Sequence, residues 1–218
     1  MTALASELES QGWHLSEVTQ LVFSSYMFTN QQIQIYASVN HQTKVGLALA
    51  STAKEVVKLA LDKDLKDIGA SCIPEDINRG KVDSIHGPMV LMVTKVRNIA
   101  APKAKEESQA GPRMLKVSLS DGSMTCHAVE VSPCPKISLK TAPGTKVRLS
   151  KGPLEVAGGF IKLDEGALEV LGGRVEALVE KWLTAQSLAE FTRADLRIGT
   201  GGEVRYSIVS FSFKISFC

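Results

Sequence analysis

The chain is short of aromatic rings, paired thiols, long apolar runs and net charge, and each shortage removes a class of function. Aromatics make up 6% of the residues, and no Phe, Tyr or Trp lies between Tyr36 and Phe160. Sequence-tolerant binding of single strands relies on bases stacked on rings, each worth about 1–3 kcal/mol. That long stretch offers no such platform, and on the outer face of its central hairpin only His127 has a flat ring. The four cysteines, Cys72, Cys126, Cys134 and Cys218, form no Cys-x-x-Cys pair, and no basic start with an apolar core precedes them. They read as reduced thiols of an intracellular protein, with no secretion signal. No run of about twenty apolar residues exists to span a membrane as a helix. A net charge of +2 gives little counterion-release affinity for nucleic acid unless the cations cluster.

Reactive signatures are missing too. There is no nucleophile elbow, Walker loop or paired-histidine helix. Gly199-Thr-Gly-Gly202 lacks the strand, lysine and helix of a phosphate loop and reads as a linker. Cys126 and His127 are strand neighbours whose side chains point to opposite faces, so with Cys134 they make no ligand set for one ion. The sequence therefore predicts no enzyme, no metal and no cofactor.

What is present centres on Met114 to Val131, two alternating runs joined by Asp121-Gly122, a pair that favours a tight hairpin turn. A two-residue turn sets Ser120 opposite Ser123, Leu119 opposite Met124, Val117 opposite Cys126 and Leu115 opposite Ala128 on an apolar face. Lys116, Ser118, Thr125 and His127 take the other face. Val129 and Val131 fall out of phase with Ala128. Either a bulge turns the strand there, or the two valines join an outward apolar patch.

Around this hairpin the period divides the chain. Residues 1–50 form a poorly defined segment, with a short helix start at Gly12 to Glu17 and no assigned fold from Ser24 to Ala50. Residues 52–86 read as a helical preamble. Thr52-Ala-Lys-Glu55 is a capping-box pattern whose helix places Val57, Leu61, Leu65 and Ile68 on one stripe with Gly69 as a stop, and Pro74-Glu75-Asp76 starts another turn. Residues 87–172 hold five strands: one from Pro88 that bends where the phase shifts to Val96, the hairpin, Lys146 to Leu149 after a Pro143-Gly144 turn, and Phe160 to Leu163 after Gly158-Gly159. Residues 173–191 form an amphipathic helix on the stripe Leu171, Val175, Leu178, Val179 and Trp182. Residues 192–218 are linker and atypical tail. The fold class is α+β: a small helical region, a five-stranded OB-type barrel and a C-terminal helix.

The connection from Ile99 to Arg113 runs roughly fifteen residues against a usual median of about 4–6. In an OB barrel it joins the first two strands and is one of the loops that meet ligands. Its opening, Ile99, Ala100, Ala101 and Pro102, is small, apolar and stiffened by proline, suited to docking as an extended arm; the plain alternative is a surface loop. Lys103 and Lys105 are offset by Glu106 and Glu107. Phe160 follows a glycine pair at a strand end, where it either faces a partner or plugs the core.

The strings Ile73 to Lys81, Lys95 to Lys103, Glu106 to Met114, Pro143 to Val147 and Leu171 to Glu176 resemble the amino-terminal region of the Tudor domain-containing protein 3 family, over about residues 52 to 191. The resemblance implies a helical preamble plus OB barrel related to the RecQ-mediated genome instability factor, and a non-catalytic partner of topoisomerase III-beta acting in cytoplasm and nucleus. It implies partner contacts through the loop, Ile99, Ala100, Ala101, Pro102, Lys103, Gln109, Pro112 and Arg113, and through Val129 and Phe160. Residues 24–50 and the tail from Glu203 do not share the resemblance. The Tudor and ubiquitin-associated segments are absent from this chain, so methylarginine partners are not expected. Nucleic acid would be met indirectly, through the topoisomerase. The alternative class is a single-strand-binding OB module.

Overall fold

The structure is a computed structural model whose described residues are 3–16, 19, 53–102 and 112–198. Residues 24–50, the loop centre at 103–111 and the tail beyond 198 lie outside the described residues. The chain divides into two units, Met1–Trp182 and Leu183–Cys218.

Strand β1 (Ser84–Asn98) is buried on both faces from Met89 to Val93. The period-two reading caught one of those faces. Met89, Leu91 and Val93 point into the barrel, while Val90 and Met92 enter a second core beneath the helices. A continuous apolar run is what burial on both faces demands. The register then shifts between Val93 and Lys95, the bend anticipated from the change of phase.

The remaining strands are β2 (Leu115–Ser120), β3 (Thr125–Glu130), β4 (Lys146–Ala157), β5 (Phe160–Leu163) and β6 (Leu168–Gly172). They pair in the order β1-β2-β3-β5-β4-β6, and β1 also pairs with β4. That last pairing closes five strands into a barrel, with β3 and β5 parallel and the other pairs antiparallel. Strand β6 is an addition on β4. The sequence reading missed it by giving Leu171 to the helical stripe. It also ended the fourth strand at Leu149. Gly152-Pro153 looks like a breaker, yet both residues pair with β1, opposite Gly87 and His86.

The hairpin keeps its faces but not its predicted register. Leu119 lies opposite Cys126, Val117 opposite Ala128 and Ser120 opposite Thr125. The slip is two residues, so every side chain keeps its face. Its cause is Asp121, 2% exposed. One carboxylate oxygen accepts from the Ser123 and Met124 N–H groups at 2.9 and 2.7 Å, and the other accepts from Cys72 and Ile73 at 2.9 and 3.0 Å. The turn is therefore a four-residue loop folded around a carboxylate that also holds the preamble. Gly122, at φ +105°, packs so closely that a Cβ there would lie 2.2 Å from the Leu65 carbonyl oxygen.

The preamble departs from its expected outline. Helix α1 (Ala3–Ser10) ends before Gly12, and Gly12 to Leu15 are not helical. The expected helix start falls later, at Ser16, whose Oγ accepts from the N–H of helical Thr19 at 3.4 Å. Trp13 and Leu15 instead enter the second core, and Leu15 bridges to Gly69. Thr52 lies outside the described residues. The expected single helix to Gly69 is broken into α2 (Ala53–Leu61) and α3 (Leu65–Ile68), because Asp64 caps a new start by accepting from Lys66 N at 3.0 Å. The fully buried residues of α2 are Ala53, Val56 and Ala60, with the expected Val57 and Leu61 partly buried against the same core. A short 3-10 turn covers Ile77–Arg79. Helix α4 (Glu176–Ile198) is preceded by Val175, which with Leu178 packs into the second core.

Lys146 joins preamble to barrel. Fully buried, its ammonium donates to the carbonyls of Leu61, Lys63 and Gly144 at 3.0, 2.6 and 2.9 Å. Burial lowers its pKa to about 8, against the opposing pull of Asp64 and Asp62.

Candidate partner-docking face

Both feet of the long loop are clamped. Asn98, buried at the end of β1, accepts from the Ala100 and Met114 N–H groups at 3.1 Å each and donates to the Pro112 carbonyl at 3.1 Å. Ile99 N donates to Met114 O at 2.9 Å. One residue further, Arg113 donates through Nε and Nη2 to the Glu130 carboxylate at 2.8–3.1 Å, and through Nη2 to the Cys134 and Ile137 carbonyls at 3.0 and 2.9 Å. Glu130 is 5% exposed and also accepts from Leu115 N at 3.2 Å and Cys134 N at 2.6 Å. Burial works to raise its pKa, but the Arg113 hydrogen bond and the two N–H donors override it and hold the carboxyl below its ordinary value. The foot of the β1–β2 loop and the loop after β3 thus share one buried charge.

Beside the clamp lies the outward face of β1, β2, β3 and β5. Register places Arg97 beside Lys116, Lys116 beside Val129 and Val129 beside Lys162. The next row is Lys95, Ser118, His127 and Phe160. Past the strand ends the same parity carries Ile99, Met114 and Val131, which are 46%, 42% and 58% exposed. An apolar rim at the loop's base therefore adjoins a cationic and aromatic centre.

That centre is internally ordered. The His127 and Phe160 rings stack with centroids 6.1 Å apart, and Lys116 Nζ sits 4.9 Å from the Phe160 centroid, a cation–π geometry. Ser118 Oγ lies 3.2 Å from His127 Nδ1. Burial, then the nearby Lys116 charge, lowers the His127 pKa, which favours the neutral ring. Lys162 pairs with Glu155.

The candidate residues divide accordingly. Ile99, Ala100, Ala101 and Pro102 form the first foot of the loop and Pro112 and Arg113 the second; Lys103 and Gln109 lie outside the described residues. Val129 is half-buried on the outward face, and β3 pairs with β2 in unbroken register, so no bulge displaces it. Phe160 shares that face and does not plug the core, where Ile161 and Leu163 point instead. Arg113's guanidinium is engaged at the clamp. Cys126 faces inward and His127 outward, and burial pushes the Cys126 and Cys72 thiols up to about 12. Sequence reasoning turned Lys95 and Arg97 outward at the phase shift to Val96, as the register has them, but counted neither them nor Met114 among the contacts.

A closed five-stranded barrel of this strand order, with its longest connection between the first two strands, is an OB fold. Residues 63–186 match the family described as RMI1, N-terminal OB-fold domain. The chain belongs to that family. It is similar to Tudor domain-containing protein 3 of Xenopus tropicalis, at 48% identity over 66% of this chain and 20% of the relative, and to that of Danio rerio, at 39% over 90% and 24%. It is also similar to RecQ-mediated genome instability protein 1 of Oryza sativa subsp. japonica, at 29% over 44% of the chain and 12% of the relative. The chain thus spans about a fifth to a quarter of the length of its Tudor domain-containing relatives.

Proposed function

We propose that this chain is a non-catalytic adaptor of the nucleus and cytoplasm. Its barrel face and β1–β2 loop bind topoisomerase III-beta, and the topoisomerase, not the barrel, acts on DNA and RNA. The observation that carries this reading is the double clamp at the loop's feet. Asn98 and the Arg113–Glu130 pair fix where a long loop leaves the barrel, next to exposed Ile99, Met114 and Val131. Fixing the exit lowers the ordering cost of docking, which otherwise runs about 0.5–1.5 kcal/mol per immobilised side chain. The names of the relatives, one from genome stability and two from Tudor-containing proteins, support a binding role over an enzymatic one.

The test replaces Ala100 to Gly111 with a short Gly-Ser link, keeping Asn98, Pro112 and Arg113. Thermal stability is expected to change little, because that segment leaves both clamps in place, while co-purification with topoisomerase III-beta is lost. Retained binding would remove the loop from the interface.

A further inference from the structure

We infer that the outward face of β1, β2, β3 and β5 selects an acidic protein surface that carries an aliphatic anchor. The inference rests on the adaptor reading above and adds the chemistry of the partner's contact. Lys95, Arg97, Lys116 and Lys162 occupy outward positions in two adjacent rows. Among the described residues the carboxylates bordering them are Glu155, which is paired with Lys162, and Asp164 just past β5. Arg97 has an interaction of its own, so Lys95 and Lys116 are the cations that carry the inference. The strand positions of the face are therefore positive although the chain as a whole is nearly neutral at +2. Such clustering steers encounter and sets register more than it adds raw affinity.

Two features favour a protein over a nucleic-acid strand. The Phe160 ring is already engaged by the Lys116 ammonium and by His127, so a base must displace a cation to stack there. The rim of Ile99, Met114 and Val131 is aliphatic, which suits an apolar anchor and gives a phosphodiester backbone nothing to bond. Apolar contact beside flanking charge is the anatomy of a protein interface.

The measurement is association of the full chain with purified topoisomerase III-beta at low and at physiological salt, alongside Lys95→Glu, Lys95→Arg and the Lys95→Glu/Lys116→Gln double variant. Lys95 is exposed, so the single variants are expected to melt as the wild type does. The wild-type on-rate is expected to fall as salt rises. Lys95→Glu should slow association by about tenfold at low salt with little change in off-rate, the double variant further, and Lys95→Arg not at all. If the wild type binds but its on-rate is flat in salt and equal to that of Lys95→Glu, the acidic partner surface is wrong and the adaptor reading stands. If the wild type does not bind, both fall. Binding of a fluorescent single strand at physiological salt that the double variant abolishes would reassign the face to nucleic acid and overturn the inference.

Discussion

Glu130→Gln keeps the shape of the clamp and removes its charge. In the native chain one carboxylate oxygen accepts from Arg113 Nε, Arg113 Nη2 and Cys134 N, and the other from Arg113 Nε and Leu115 N. Every one of those partners is a donor. An amide nitrogen in either position must point at an N–H, leaving a backbone donor of Leu115 or Cys134 without an acceptor in a buried place. Breaking a fully buried pair costs about 3–5 kcal/mol. Arg113's side chain is 43% exposed, and solvent screening brings the expected loss to about 2–3 kcal/mol. For a chain of this size that lowers Tm by about 4–12 °C. The pH dependence has a definite sign. A carboxyl whose folded pKa lies below its ordinary 4.5 stabilises the fold fully above that value and loses the contribution as pH falls through the folded pKa. The gap between wild type and Glu130→Gln should therefore be widest near neutrality and close in acid. Melting followed by circular dichroism at pH 7 and at about pH 3 measures it, with Glu169→Gln as control, since the Arg148–Glu169 pair is exposed and worth little. A Tm within about 1 °C of wild type at pH 7, or a gap that widens in acid, would refute the account of the clamp.

Two further outcomes follow from the geometry. Phe160→Ala should cost about 1–2 kcal/mol, well under the 3–5 of a fully buried ring, while weakening topoisomerase binding by about tenfold or more; a melt that collapses would place the ring in the core. Lys146→Met should destabilise the chain by leaving three buried carbonyls short of a donor. Because the folded pKa of Lys146 is depressed to about 8 from 10.5, the folded state binds fewer protons between those values, so this group's contribution to stability rises with pH across that window. Urea midpoints should separate further from the variant at about pH 9.5 than at pH 7, and a narrowing difference would refute it.

The barrel was legible in the sequence because its inward residues repeat with a period of two and glycine pairs mark its turns. What escaped was whatever tertiary contact decides. Asp121-Gly122 predicts a two-residue turn by local preference, but a carboxylate shared with Cys72 and Ile73 enlarges the loop. Asp62-Lys63-Asp64 looks like the charged face of a continuing helix until Asp64 caps its neighbour. Strand β6 hides inside a hydrophobic spacing that fits a helix equally well. The candidate site was legible in part. Phe160 and Val129 stood out as a lone ring and a break in alternation, whereas the rows that join them to Lys95, Arg97 and Lys116 depend on cross-strand register, which no local pattern contains. Arg113 entered as a partner contact through the resemblance alone, and its pairing with Glu130 was not legible because the hairpin's return brings that acceptor to it.

The bulge between Val93 and Lys95 links these elements into one design. Before it, the outward positions of β1 are Val90 and Met92, covered by the chain's own helices. After it, the outward positions are Lys95 and Arg97, beside Lys116 and Ser118 on a face whose next strands carry His127, Val129 and Phe160. An unbulged strand would keep the earlier parity, turning Thr94, Val96 and Asn98 outward and Lys95 and Arg97 into the core. Val96 would leave its place against the barrel core, and Asn98 could no longer hold the loop's feet. One inserted residue thus divides the barrel's surface into a half that its own preamble seals and the half proposed above as the docking face, and it sets the loop clamp at the edge of that second half.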